Sequence, residues 1–141
     1  MTSFRLHERL LTDCHLLGRL VHCHVLLHRN AALHWFILVP ETAATDVLDL
    51  PATQRTAVLE ECASVSACLK QRLGYPKVNL GAIGNVVPQM HLHVVGRRPG
   101  DAVWPAPVWG PLGPGPAYTE EELAGLRALL VEACGMTPVQ E

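Results

Sequence analysis

The stretch Asn79-Leu80-Gly81-Ala82-Ile83-Gly84-Asn85-Val86-Val87-Pro88-Gln89-Met90-His91-Leu92-His93-Val94-Val95-Gly96 decides how this chain is read. In its second half Met90, Leu92 and Val94 fall on one parity, and Gln89, His91 and His93 on the other. Period two belongs to a strand with one face against a core. Val87 to Gly96 is therefore predicted as a strand whose three polar side chains point one way, about 7 Å apart. Lys77 to Ile83 reads as its partner strand, with Gly84 and Asn85 as a tight turn between them. Glycines there let the backbone come close to a ligand, and successive amides can face an anion. Imidazoles beside backbone amides suit a phosphate. A neutral imidazole is also a nucleophile near pH 7, since one nitrogen attacks while the other gives its proton to a fixed acceptor. The pattern leaves two other readings open. The pair can simply face solvent, or it can join His22 and His24 in holding zinc, provided the two strands converge. A hard metal is disfavoured, because no Asp or Glu lies between Glu61 and Asp101.

Working outward, Leu20 to Arg29 alternates too, with Val21, Cys23, Val25 and Leu27 on one side and His22, His24 and His28 on the other. It reads as a half-buried strand whose histidines lie at the surface, followed by a hairpin loop and a second strand from Trp35 to Val39. From about Pro51 to Leu73 the period lengthens. Val58, Cys62, Val65 and Leu69 form one helical stripe, Pro51 suits the first turn, and Gly74 with Pro76 suits the end. Residues 99–116 hold six prolines and two tryptophans, Trp104 and Trp109, so they are expected as an extended arm over this domain or a partner subunit. Arg97 and Arg98, paired at a strand end before the arm, read as solvated side chains. Thr119 to Glu122 has the form of a capping box, and Leu123, Leu126, Leu130 and Cys134 continue a terminal helix over 119–134. Loops this short require antiparallel neighbours. The expected fold is α+β: about five antiparallel strands, one long helix and one short terminal helix in a single domain over 1–141.

Composition narrows the function. A chain of 141 residues, 49% hydrophobic, builds one core. A net charge of −2 argues against a broad basic face, and so against extended nucleic-acid binding. No stretch has the apolar length of a membrane helix or the block of a signal peptide, which suggests a soluble, cytoplasmic protein. Five dispersed cysteines suggest reduced, buried thiols rather than disulfides or a cysteine zinc site. Of the eight histidines, His7, His15 and His34 have no supporting constellation.

The run Asn79-Leu-Gly81, then Gly84-Asn85-Val86-Val87-Pro88-Gln89-Met90-His91-Leu92-His93-Val94-Val95, resembles the signature of the histidine-triad (HIT) superfamily. The likeness extends to Leu26-Leu27-His28-Arg29-Asn30 and Trp35-Phe36-Ile37-Leu38-Val39-Pro40. The tail Trp104-Pro-Ala-Pro-Val-Trp109-Gly is similar to a bacterial branch with Gln at the first triad position. The resemblance implies a HIT-like fold, commonly a homodimer, with hydrolysis or transfer at the α-phosphate of a nucleotide such as a dinucleoside polyphosphate or nucleoside phosphoramidate. It implies that His91 forms a nucleotidyl-histidine and that His93 contacts the phosphate or leaving group. Gln89 stands where the family has a histidine that titrates. Asn79 and the amides of Gly84, Asn85, Val86 and Val87 would hold phosphate oxygens. Leu26, Leu27, His28 and Asn30 would meet the nucleoside, Asn30 standing where the family commonly has an acid. Neither metal nor cofactor is implied. Gln89 also leaves room for a nucleotide-binding module with little turnover.

Overall fold

The computed structural model describes residues 3–139. Strands β1 (Cys14–Arg19), β2 (Cys23–His28), β3 (Trp35–Pro40), β4 (Lys77–Gly81), β5 (Leu92–Arg97) and β6 (Thr137–Pro138) form one sheet in the order β4-β5-β3-β2-β1-β6. Every pairing is antiparallel. Helices α1 (Glu8–Asp13), α2 (Ala52–Gln71) and α3 (Glu120–Cys134) complete the α+β fold. No helix among the described residues is long and apolar enough to cross a membrane. The sheet has six strands rather than about five. The sixth is a two-residue pairing with β1, too short to leave a pattern in the sequence. In β1 a register shift between Leu16 and Gly18 interrupts the period that would have marked the strand.

Side-chain alternation gives the sheet two unlike faces. Val78, Leu80 and Val94 share a groove with Leu59, Cys62 and Ser66 of α2. The stripe read from the sequence, Val58, Cys62, Val65 and Leu69, is buried along that helix. Pro51 stands at its N-cap, and Gly74, at φ +78°, turns the chain after its end. At the other end of the molecule, Thr119 and Glu122 complete the capping box of α3, while Gly135 closes it in the left-handed conformation.

Two expectations are corrected on the opposite face. The strand expected over Val87–Gly96 pairs only from Leu92, because β4 stops at Gly81 and Pro88 has no N–H to offer a ladder. Ala82 to His91 is instead a wide loop, in which Gly84 takes φ +64°. Arg97 is not solvated. It is 1% exposed, and its guanidinium donates to both carboxylate oxygens of Asp101 (2.8 and 3.1 Å), to Asn79 Oδ1 (2.9 Å) and to the Ala106 carbonyl (2.8 Å). The Trp104 ring lies 5.5 Å from it. Arg98 stacks over Tyr75 at 4.4 Å.

These bonds fold the proline-rich arm back on its own domain. Asn30 Nδ2 donates to Gly113 O (2.9 Å), Ala31 N donates to Pro116 O (2.8 Å), and Val108 is buried. Trp109 lies on Gly81, where an added Cβ would stand 2.7 Å from the indole. Only glycine at that point of β4 lets the ring settle on the sheet.

Candidate active site

His93 sits between Gly81 of β4 and Ile37 of β3 in the ladder, which places its ring on the arm-covered face. The Trp35 indole N–H donates to His93 Nδ1 at 3.0 Å. An indole nitrogen only donates, so Nδ1 accepts and the imidazole proton is on Nε2. Burial, with His91 and His28 nearby, pulls the His93 pKa from 6.5 down to about 3. His93 is therefore a neutral donor at neutral pH.

His91 precedes β5 and is nine-tenths buried. Its Nδ1 lies 2.7 Å from the Gln89 carbonyl oxygen. A carbonyl only accepts, so Nδ1 carries the proton and Nε2 of the neutral ring keeps its lone pair. Among the described residues nothing bonds that Nε2. The His91 and His93 rings meet edge to face at 5.0 Å.

Two cavities meet at Ile83, Gly84 and His91. The first, about 230 Å³, is walled by Trp35, Ile37, His93 and Trp109 and by Leu10 and Cys14 from the α1 end. His28 stacks on Trp35 at 4.1 Å, with 7° between the ring planes, and closes one side. The second, about 320 Å³, lies toward the loop Thr45 to Asp49. Arg9 and Asp13 of α1 stand in the rim of the first and pair at 3.6 Å. The Cys14 thiol is pushed up to about 12 by burial and by Asp13, which makes it a poor nucleophile.

The structure brings together only part of the site expected from the sequence. Gly84, Asn85, Val86 and Val87 line the first cavity with His28, His91 and His93. Gln89 does not: its Oε1 accepts from His7 N (2.8 Å) and its Nε2 donates to Arg5 O (2.8 Å), so the carboxamide is spent on the N-terminal segment. Asn79 shares the face of His93, but its Oδ1 is taken by Arg97 and it lines neither cavity. Asn30 gives Nδ2 to Gly113 and accepts from Ala32 N (3.0 Å), which makes it an anchor of the arm. Leu26 and Leu27 are wholly buried and line neither cavity; alternation turns Leu27 toward α2.

Several wall residues were not anticipated. Trp35 and Ile37 have the parity of His93's face and were readable once the β3–β5 register was known. Trp109 and the 45–49 loop carried no local signal for this placement. The Trp109 indole N–H is buried with no acceptor among the described residues. The converging-strand zinc site does not form. β3 separates β2 from β5, His24 is engaged with Glu41 (3.0 Å), and no metal-competent cluster occurs among the described residues.

Comparison with known proteins accords with this geometry. The model of the HIT domain family matches residues 10–100. A histidine triad protein from Marinobacter aquaeolei VT8 has 40% identity and a TM-score of 0.88 over 95% of this chain and 98% of its own. One from Sinorhizobium meliloti 1021 gives 40% and 0.88 over 94% and 98%. Histidine triad protein blr8122 from Bradyrhizobium japonicum gives 35% and 0.86 over 94% and 98%. Among curated proteins there is no match.

Proposed function

We propose, from the premise that this chain belongs to the HIT domain family, that it hydrolyses or transfers a nucleotide at its α-phosphorus through a covalent nucleotidyl-His91. One observation carries the reading: His91 Nδ1–H is fixed on the Gln89 carbonyl, which leaves Nε2 unbonded at the meeting of two cavities, beside the Gly84 to Val87 turn. The nucleoside lies in the first cavity against the stacked His28 and Trp35. Amides of Gly84, Asn85, Val86 and Val87 face the phosphate oxygens as charge develops. His93, its proton held on Nε2 by Trp35, donates to a phosphate oxygen or to the departing atom. Gln89 acts through its main-chain carbonyl and positions the nucleophile. No metal is required, since the imidazole itself forms the bond to phosphorus.

The protein works in the cytoplasm as a homodimer, which the four buried thiols and the exposed Leu80 on edge strand β4 support. Incubation with a dinucleoside polyphosphate or a nucleoside phosphoramidate should release nucleoside monophosphate. His91→Ala should lower that release about a thousandfold or more, as loss of a nucleophile does. Activity surviving the change removes His91 from its role. The Gln89 carboxamide, bound at both ends, favours a second reading as a nucleotide-binding module of low turnover. Calorimetric binding of a nucleoside monophosphate, with no product from any substrate, selects it.

A further inference from the structure

We infer that the second cavity beside His91, walled by the 45–49 loop, receives the departing group, and that Asp46 and Asp49 select there an aliphatic amine bearing positive charge. The inference rests on the nucleotidyl-transfer reading. His91, nine-tenths buried with Nε2 unbonded, is a wall of this cavity as well as of the nucleoside side. In an in-line displacement the leaving group departs opposite the nucleophile, and the acceptor returns along the same line. A nucleotide filling the aromatic cavity therefore needs one further space next to phosphorus for both, and the 320 Å³ cavity is that space.

Its lining states what fits. Asp46 and Asp49 take no side-chain hydrogen bond or ion pair among the described residues, and the lining contains no Lys or Arg. A polyphosphate there would meet two carboxylates, which is repulsive, while the cation that reaches this loop, Arg55, is spent on the Leu48 and Leu50 carbonyls and is not in the lining. Met90 is buried in the wall, while Leu48 and Ile83 present exposed apolar surface to a carbon chain. An ammonium at the end of such a chain satisfies the carboxylates.

In the first step the Nε2 lone pair of His91 forms the N–P bond. The P–N bond of the phosphoramidate breaks, its electron pair goes to the departing nitrogen, and that nitrogen takes a proton from solvent and leaves as the amine. In the second step a water oxygen bonds to phosphorus, the P–Nε2 pair returns to His91, and the proton lost by the water returns to solvent.

The test uses three adenosine 5′-phosphoramidates of matched chain length, N-linked to butylamine, to 1,4-diaminobutane and to 4-aminobutyrate. These end in a methyl, an ammonium and a carboxylate. The wild-type kcat/KM should fall in the order ammonium, methyl, carboxylate, spanning about tenfold, as expected of two exposed carboxylates worth a few-fold each. In the double variant Asp46→Asn, Asp49→Asn the ammonium-to-carboxylate ratio should contract to within about twofold. Equal rates for the three compounds, a reversed order, or an unchanged ratio in the double variant overturns the selection by Asp46 and Asp49 while leaving nucleotidyl transfer standing. Failure to release adenosine monophosphate from any of the three overturns both.

Discussion

The two faces of the sheet bury their residues by different means. Against α2 the contacts are aliphatic and thiol: Val58, Cys62, Val65 and Leu69 meet the sheet side that carries Val78, Leu80 and Val94. Against the arm the sheet offers His93 and Arg97, 7% and 1% exposed, and each is satisfied by a named partner. Burying a charge or an amide costs several kcal/mol unless it is bonded, so the second face is stable only with its arm in place. The helix face depends on shape; the arm face depends on the pairing of its buried charge and imidazole. On the second face hydrogen bonds hold His91 and His93 each in one tautomer and orientation.

The largest test of this contrast is Arg97→Ala. It leaves the Asp101 carboxylate, 4% exposed, without its cation and releases the Ala106 carbonyl and Asn79. Urea unfolding should show a loss of about 3–5 kcal/mol, the cost of breaking a buried pair from one side. On the other face Leu69→Ala should cost about 3 kcal/mol through the cavity it opens, a loss that stays constant from pH 7 to 2, whereas the Arg97→Ala loss shrinks as pH falls from about 4 to about 2 and Asp101 is protonated. Equal pH dependence in the two variants would erase the distinction.

A smaller effect comes from titration. The His93 pKa is lowered from 6.5 to about 3, so the unfolded chain binds a proton that the folded chain refuses. That contribution is present above pH 6.5 and is lost as pH falls toward 3, amounting to about 0.7 kcal/mol between pH 7 and 6. Asp101, held by Arg97 from 3.8 down to about 2, gives a second contribution, lost as pH falls from about 4 to about 2. Unfolding followed from pH 7 to pH 2 should show the upper limb flatten in His93→Phe while the lower limb remains.

What the sequence disclosed follows the same division. The α2 stripe and the alternation in β2 are local periodic patterns that predicted the buried faces, and the capping box of α3 is a local signal that predicted where the helix begins. His91 and His93 share the parity visible in the sequence, although only His93 lies in a strand, and it was the family resemblance rather than the period that singled them out. The carboxamides of Gln89, Asn79 and Asn30 were misplaced because their partners, Arg5, Arg97 and Gly113, sit 84, 18 and 83 positions away. A polar side chain announces that it will be bonded without saying to what. Prolines between 99 and 116 excluded helix and central strand, yet where the arm lies is determined by distant partners: Arg97, Asn30, Ala31 and the gap above Gly81.

The tryptophans have an optical consequence. The chain has three, and all serve the arm face: Trp35 donates to His93, Trp109 meets the same imidazole edge to face at 5.3 Å, and Trp104 lies over Arg97. None of the three belongs to α2 or α3. Intrinsic fluorescence is thus a reporter of the arm face alone, and protonating His93 should quench two emitters at once. Far-ultraviolet dichroism, dominated by α2 and α3, watches the other side. A denaturation in which emission shifts before ellipticity changes would time the release of the arm separately from the melting of the helices.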